Sequence, residues 1–332
     1  MTVVLATAEG LSSAAAVEQS PPAHTRWRFA ALLVPLVAVV ELLSQAVIQA
    51  RVPKPSDWEA AARYIRRERH PGELVTSAPL WTDPLARQYF HDLIPLADAA
   101  RPDATRYRRA FVATLRGGTN PDLRGWRETA HRDFGPITVR TLENPSPGTV
   151  RYDLVEHLHP PDAEAFRAAG DTPTPCEWRP GSFVPGGGLG QGALLPGSRF
   201  HCSPEGWNYI GVTIIEDMEH RGRRCIWSHP IQGGAMVTRF RDVPMGMVFH
   251  GHHGIAYEAE RGDDLGNQGG PVELRVLVDG TEAGRSIHRD GEGWKGFDID
   301  TRAWANTTRQ LTIEVRAEAP GMRHYCYEGD VR

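Results

Sequence analysis

The sequence predicts an α+β multidomain protein, with an N-terminal transmembrane helix, a small α/β layer domain and a C-terminal antiparallel β-sandwich of jelly-roll type. One apolar run near the N-terminus, alternating helix and strand patterns after it, and an apolar period of two in the second half support this prediction. The predicted segments are a polar tail at 1–28, an anchor at 29–50, the α/β domain at 54–159, a Pro/Gly-rich linker at 160–206 and the sandwich at 207–332.

Residues 29–50 (FAALLVPLVAVVELLSQAVIQA) contain no lysine or arginine. A helix of ~20 apolar residues crosses a hydrocarbon core, so the run predicts a membrane span. A cleaved signal peptide is the alternative, because Arg26 and Arg28 precede the run and Ser44-Gln45-Ala46 resembles a small-residue cleavage site. Both interpretations place the following domains outside the cytoplasm. More basic residues lie within 51–69 than just before the run, and a count of positive charges would therefore place the large domains inside. Long domains, however, translocate largely regardless of flanking charge.

Glu41 lies inside the apolar run. A carboxylate within a membrane indicates a helix partner or a protonated state, so we expect contact with a membrane-protein partner at Glu41. The alternative is a helix that tolerates the carboxylate near one end.

Composition favours a soluble exterior on a single anchor. Charged residues make up 23% of the chain and the net charge is -4, while the mean hydropathy is -0.40. No basic stripe is present in the sequence, which argues against nucleic acid as a partner. The Gly-x-Ser-x-Gly signature of a nucleophilic serine is missing, and the sequence favours a non-catalytic protein over an enzyme.

All four cysteines lie in the second half of the chain, at Cys176, Cys202, Cys225 and Cys326. Their spacing does not fit a zinc knuckle and predicts structural disulfides in an oxidising compartment. Of the three possible pairings we expect Cys176 with Cys202 and Cys225 with Cys326. Four buried thiols in a cytosolic domain are the alternative.

Residues 54–159 alternate between helical and strand patterns. Within 57–69, Trp58, Ala61, Ala62 and Ile65 recur at helical spacing before the stop signal His70-Pro71-Gly72. The remaining helix candidates are 83–90 and 123–133, and the strand candidates are 73–78, 109–115 and 136–142. This order predicts a layered α/β domain with a partly parallel sheet.

The stretch DWEAAARYIRRERHPGELVTSAPLWTDPLARQYF at 57–90 resembles the soluble extracytoplasmic region that follows the last transmembrane helix in some bacterial membrane glycosyltransferases that use lipid-linked sugars. The resemblance covers residues 30–160. The family's catalytic acids lie on a loop between membrane helices, and this chain has no multi-helix membrane part to hold such a loop. The resemblance therefore implies an accessory or remnant, and Asp83 and Asp92 are assigned no catalytic role.

Residues 160–206 are rich in proline and contain the run GGGLGQG at 186–192. The run lacks the Gly-Lys-Ser/Thr ending of a phosphate-binding loop, so we interpret the segment as an irregular linker.

From residue 207 onward, apolar residues alternate. Residues 272–278 (VELRVLV) precede the turn signal Asp279-Gly280, and the other strand candidates are 209–215, 224–227, 236–240, 246–250, 297–300 and 311–315. The layout, with Cys225-Ile226-Trp227, Asp242-Val243-Pro244 and GEGWKGF at 291–297, is similar to the galactose-binding-like sandwiches of carbohydrate-binding modules.

A sugar site needs an exposed aromatic plane beside polar groups, because sugars present apolar C–H faces next to hydroxyls. Trp294, in a polar loop with Asp290 and Glu292, fits this requirement best, and Tyr257 is a further candidate. The alternative for Trp294 is a ring folded back onto the sandwich edge. Packing is also the alternative for Tyr257 and the interpretation we prefer for Trp207, Trp227 and Trp304.

One group of histidines and two acidic pairs carry side chains that can bind metals, but a metal site is the less favoured interpretation of each. His250, His252 and His253 offer three imidazoles, and Asp263 with Asp264, or Asp290 with Glu292, offer oxygens for calcium. Neither pattern matches an established metal-ligand spacing, so we predict no cofactor and keep calcium as the alternative.

These observations predict a single-pass membrane protein that binds or scaffolds at the cell envelope, with a glycan or envelope polysaccharide as ligand of the sandwich. The alternatives are a non-catalytic accessory or remnant of a membrane glycosyltransferase and a structural spacer without ligand.

Overall fold

The structure, a computed structural model, describes residues 23–95, 99–100, 103–170, 172–181, 197–260 and 269–332. The chain forms two compact units, Met1–Pro53 and Lys54–Arg332. They are described separately below.

The first unit contains helix α1 (Ala23–Ala50), with Pro35 inside it. Its segment Ala31–Gln49 has a mean hydropathy of 2.2 and is the one candidate membrane span among the described residues. By length and composition this helix can cross a membrane, and a signal sequence has the same properties.

The second unit begins with an α/β layer. Its elements are α2 (Pro55–Glu68), β1 (Leu74–Ala78), α3 (Asp83–Phe90), β2 (Arg109–Leu115), β3 (Arg127–Phe134) and β4 (Ile137–Glu143). The sheet has the order β1-β2-β4-β3, with β1 parallel to β2 and the other pairs antiparallel. The helices cover one face of this partly parallel sheet.

Helix α2 packs through the apolar face that its sequence predicts. Trp58, Ala61, Ala62 and Ile65 are its buried residues. The Trp58 ring lies 6.1 Å from Tyr89 and 5.9 Å from Phe90 of α3, measured between ring centroids. The predicted helix over 57–69 is thereby confirmed.

The predicted helix over 123–133 is wrong, because most of this segment is the edge strand β3. Leu123, Trp126 and Ala130 happen to share helical spacing. Strand β3 pairs with β4 alone, and seven of its eight residues are exposed. An exposed edge strand buries neither face, so it shows no apolar alternation in the sequence.

The rest of the second unit is a β-sandwich, which confirms that part of the predicted fold. Its eight-stranded sheet contains β5 (Tyr152–Asp153), β8 (Glu177–Arg179), β9 (Arg199–His201), β10 (Tyr209–Glu216), β11 (Gly222–Ser228), β13 (Val248–Ile255), β16 (Lys295–Asp300) and β18 (Tyr325–Val331). The order is β16-β13-β18-β11-β10-β9-β8, with β5 on β18.

The facing six-stranded sheet contains β6 (Ala163–Ala169), β7 (Thr174–Pro175), β12 (Gly234–Pro244), β14 (Val272–Val278), β15 (Thr281–His288) and β17 (Thr308–Ala317), in the order β15-β14-β17-β12-β6-β7. Strand pairs in both sheets are antiparallel. Apolar side chains from both sheets, among them Phe240, Phe249 and Leu274, form the main core. A short helix, α4 (Tyr257–Glu260), follows β13.

The segment predicted as a linker, 160–206, differs from that prediction, because it carries strands β6 to β9. Strand β6 pairs with β12 from Ala163 against Phe240 to Ala169 against Gly234. Its sequence AEAFRAA lacks β-branched residues, so propensity does not indicate a strand there. The glycine run at 186–192 lies outside the described residues.

Two disulfides confirm the predicted pairing. Cys176 is bonded to Cys202 and Cys225 to Cys326, with Cα–Cα distances of 4.3 and 5.7 Å. The first bridge joins the edge of the eight-stranded sheet to the chain just after β9. The second joins the neighbouring strands β11 and β18.

The Cys225–Cys326 bridge should stabilise the fold more than the Cys176–Cys202 bridge. Their sequence separations are 101 and 26 residues, and loop-closure entropy then predicts about 4.7 against about 3.5 kcal/mol of unfolding free energy. Urea unfolding of residues 54–332 with each cysteine pair replaced by alanine measures this difference. A larger loss for Cys176→Ala/Cys202→Ala would contradict the expectation.

Candidate ligand-binding site

Several loops lie together at one end of the sandwich. Strand pairing places Ile210 opposite Ser228, Trp227 opposite Cys326, Ile255 opposite Tyr325 and His253 opposite Lys295. The starts of β10, β18 and β16 therefore lie beside the ends of β11 and β13. We call this end the loop end; its described segments are 202–208, 229–233, 256–260, 289–294 and 318–324.

A cluster of aromatic and imidazole rings lies at the loop end. The Trp207 and His229 ring centroids are 4.7 Å apart, and His229 lies 5.8 Å from His324. Trp227 lies 5.4 Å from His324 and stacks on Tyr209 at 5.6 Å. These five residues are called the ring cluster below. Its indoles are also joined through hydrogen bonding, because Trp227 Nε1 donates to the Trp207 carbonyl at 3.0 Å.

Trp207 differs from the other rings of the cluster in its exposure. It is 47% exposed, whereas Trp227 is 5% and Tyr209 2% exposed. Among the described tryptophans of the sandwich it alone is exposed. An exposed indole backed by packed rings forms a stiff apolar surface for the C–H face of a sugar.

His229 supplies a hydrogen-bond acceptor beside Trp207. Its Nδ1 lies 2.8 Å from the Pro230 carbonyl oxygen, which accepts only, so Nδ1 carries the proton. Burial lowers the pKa of His229 to about 4, and the ring is therefore neutral near pH 7. Nε2 then holds a lone pair that can accept a hydrogen bond from a ligand hydroxyl.

Further polar residues are adjacent in sequence to members of the ring cluster. Asn208 and Ser228 are 2% and 1% exposed, and neither Asn208 Oδ1 nor Ser228 Oγ has a hydrogen-bond partner among the described residues. His324 Nδ1 lies 3.5 Å from Glu258 Oε1. Asn208 Oδ1 and Ser228 Oγ are buried beneath the surface that Trp207 exposes.

Trp294 belongs to a loop-end segment, but its ring is folded onto the outer face of the eight-stranded sheet, the arrangement that the sequence left as its alternative. Its half-buried ring lies parallel to His252, with 6.3 Å between centroids, and the Arg223 guanidinium is 5.8 Å from its centre. It packs against the cluster around Cys225 and Cys326 on the outer face of the eight-stranded sheet.

The predicted acidic partners of Trp294 hold their own loop together. Asp290 accepts a hydrogen bond from Arg323, whose side chain is 1% exposed. Glu292 accepts from the Arg289 backbone at 2.8 Å and from Lys295 Nζ at 2.9 Å. Both carboxylates therefore stabilise the conformation of loop 289–294.

The buried side chain of Glu260 also stabilises loop 289–294. Its Oε1 accepts from the backbone N–H groups of Gly291 and Gly293, both at 3.0 Å, and lies 3.1 Å from His288 Nε2. Gly291 and Gly293 have φ of 83° and 61°, a region that favours glycine. The remaining ligand candidate, Tyr257, begins α4, and its ring centroid lies 4.3 Å from that of His220.

The three predicted imidazoles do not converge. His253 points into the sandwich, where it bonds Ser286 Oγ at 2.8 Å and the Tyr325 hydroxyl at 2.7 Å. His250 and His252 lie on the outer face and contact Asp298 and Glu328, each at 2.7 Å. The described residues contain no group of three or more potential ligands arranged to hold a metal. Asp263 and Asp264 lie outside the described residues.

Sequence reasoning assigned Trp207 to packing, and the structure exposes it. The available signal is the turn-forming segment Ser203-Pro204-Glu205-Gly206 just before it. A tryptophan that follows such a turn is presented by a loop, whereas Trp227 lies within strand β11.

Two buried histidines should make the fold less stable in acid. Burial lowers the pKa of His229 to about 4 and that of His253 to about 2, below the unfolded value near 6.5. The unfolded chain therefore binds more protons below pH 6.5, and unfolding free energy falls with pH by up to about 1.4 kcal/mol per pH unit for each histidine. Urea unfolding of residues 54–332 between pH 6.5 and 5 measures the slope. His229→Gln should remove about half of it, and the exposed control His70→Gln should leave it unchanged.

No protein-family model matches this sequence, and no curated protein matches it. The resemblance of residues 30–160 to membrane glycosyltransferases therefore stays a prediction. Solved structures that are similar to part of the chain include two that contain CBM51 modules. One is the structure of CBM51-2 in complex with GlcNAc and INT domains from Clostridium perfringens ZmpB, at 11% identity and a TM-score of 0.24. The match covers 36% of this chain and 25% of that one.

The other contains the tandem CBM51 modules of Sp3GH98, the family 98 glycoside hydrolase from Streptococcus pneumoniae SP3-BS71, at 11% identity and a TM-score of 0.30. That match covers 60% of this chain and 57% of that one. This chain thus spans a quarter of the first structure and little more than half of the second. Such identities and TM-scores establish neither a family nor a ligand, which have to be inferred from the residues of this chain.

Proposed function

We propose that this protein binds a carbohydrate at the loop end of its β-sandwich and, held by α1, displays that site outside the cytoplasm. The observation that carries the proposal is the exposed Trp207 ring on the buried ring cluster, with the neutral imidazole of His229 beside it. Stacking on the indole and a hydroxyl donated to His229 Nε2 would together recognise one pyranose.

The surface around Trp207 is preorganised, which favours binding of a small polar ligand. Cys202 is bonded to Cys176, and its backbone N–H donates to the Asn208 carbonyl at 3.1 Å. The Asn208 N–H donates in turn to the Glu205 carbonyl at 3.1 Å. Loop 202–208 is therefore closed at its base, and little conformational entropy remains to be lost when a sugar binds.

The location outside the cytoplasm is supported by two independent features. Disulfides persist in oxidising compartments, and both bridges of this chain lie in the sandwich. Helix α1 carries the apolar segment that can insert the chain into a membrane. The favoured ligands are accordingly glycans or polysaccharides of the cell envelope.

Replacing Trp207 should weaken glycan binding at least about tenfold without unfolding the sandwich. Trp207→Ala removes an exposed ring, so we expect at least about a tenfold loss of affinity, about 1.4 kcal/mol, with an unchanged melting temperature. A glycan and polysaccharide array with residues 54–332, followed by calorimetry on the best ligand, measures this. The matched control is Trp81→Ala, which removes a 67% exposed tryptophan from the α/β layer.

Three results would contradict the proposed site or part of it. Loss of binding in Trp294→Ala but not in Trp207→Ala would return the site to loop 289–294. Loss of binding in EDTA would add calcium, with Asp263 and Asp264 as candidate ligands. No binding to any glycan would favour the structural spacer, or an accessory role beside a membrane glycosyltransferase.

Binding should persist to mildly acidic pH and weaken when His229 becomes protonated. Protonation removes the Nε2 lone pair, and the pKa of His229 is lowered to about 4 by burial. Calorimetry at pH 7, 5.5 and 4 should therefore show similar affinity at the first two values and about twofold weaker binding at the third, where half of the rings are protonated, while near-UV circular dichroism confirms that the protein stays folded. His229→Leu, which lacks the acceptor altogether, should weaken binding at pH 7 by more than this. Equal affinity of His229→Leu and the unchanged protein would exclude this acceptor.

A further inference from the structure

The carboxyl group of Glu41 lies near the middle of the candidate membrane span. The span is Ala31–Gln49, and α1 continues beyond it at both ends. At about 1.5 Å per residue, Glu41 is about 15 Å from the start of the span and about 12 Å from its end. A glutamate side chain cannot reach either interface from there. A polar group in hydrocarbon needs a hydrogen-bonding partner at its own depth.

The face of α1 that carries Glu41 differs in character from the opposite face. Residues three, four and seven positions away share its side of a helix. They are Val34, Val37, Ala38, Ser44, Gln45 and Ile48, which together with Glu41 are called the Glu41 seam. Four of its seven members are polar or small, namely Ala38, Glu41, Ser44 and Gln45, whereas the opposite face presents Leu32, Leu36, Val39 and Leu43.

This composition is typical of helix association in membranes. Small residues such as Ala38 and Ser44 allow two backbones to approach, and polar side chains such as Gln45 form hydrogen bonds between helices. The apolar members of the seam are exposed on α1, with Val34, Val37 and Ile48 at 72%, 53% and 58% exposure.

We infer that α1 pairs in parallel with α1 of a second copy of this chain through the Glu41 seam. The inference rests on the membrane anchoring included in the proposed function. Among the described residues α1 is the one candidate span, so no other described helix of this chain can cover Glu41. A second copy inserted in the same way places identical residues at identical depth.

The seam is also complementary to itself. Gln45 and Ser44 each donate and accept hydrogen bonds, and so does the Glu41 carboxyl when it carries its proton. A two-fold axis parallel to the helices sets each of these residues against its counterpart, so that one copy donates and the other accepts, as a symmetric dimer interface requires. Pairing brings two glycan sites to one patch of membrane, where avidity can exceed a single-site affinity by about 10²–10⁴.

The test measures association of the full-length protein in lipid bilayers. Two populations labelled with donor and acceptor dyes are mixed in phosphatidylcholine vesicles, and energy transfer is followed as the protein-to-lipid ratio falls. We expect a reversible dimer whose dissociation rises about tenfold in Glu41→Leu, the effect of one or two interhelical hydrogen bonds. Glu41→Gln should retain pairing, and so should Leu43→Ala on the opposite face.

Several outcomes would overturn the pairing. These are equal energy transfer in Glu41→Leu and the unchanged protein, a monomer at every ratio, or equal weakening by Leu43→Ala. A stoichiometric complex with a different membrane protein, lost in Glu41→Leu, would assign the seam to that protein. The intact mass of the protein isolated from its native membrane shows whether α1 is retained. A cleaved α1 would overturn pairing and anchoring together, whereas loss of pairing with α1 intact leaves the proposed glycan site and anchor in place.

Discussion

The burial of strand β18 on both faces is the constraint on which the second unit depends. All seven residues of Tyr325–Val331 are buried, between β13 on one side and β11 and β5 on the other. Tyr325 and Tyr327 point into the sandwich core, where their hydroxyls bond His253 and Thr238. Because strand side chains alternate, the residues between them must be accommodated on the outer face.

The outer face of β18 carries buried polar side chains, and each has a specific partner. Glu328 contacts His252, and burial raises the pKa of Glu328 even though His252 opposes the shift. Asp330 pairs with Arg332, which also contacts Asp103 in the α/β layer. Buried ion pairs of this kind contribute little net stability, but breaking one of them leaves an uncompensated charge. The Arg332–Asp103 contact thereby joins the α/β layer to this sheet.

The same face determines which tryptophan can meet a ligand. Trp294 precedes β16, an edge strand of this sheet, and its half-buried ring is covered by contacts with His252 and Arg223. Trp227 and Tyr209 are buried and support Trp207, which remains exposed. The neighbours of each ring thus separate the packed indole of Trp294 from the exposed indole of the proposed site. The disulfides strengthen this arrangement, since one ties the start of loop 202–208 to Cys176 and the other joins β11 to β18.

Features of this protein that depend on local periodicity can be predicted from its sequence. Helix α1, the buried face of α2 and the alternating strands β14 and β17 were predictable because burial of one face or one long apolar run leaves a repeating pattern. The pairing expected for the four cysteines also agrees with the structure. Tertiary structure alone decided that β3 is a strand and that β6 belongs to the six-stranded sheet, because an exposed edge and an alanine-rich strand leave no such pattern. It also decided the exposure of Trp207 and the burial of Trp294, since the exposure of a side chain is set by neighbours from distant strands, which local sequence does not encode.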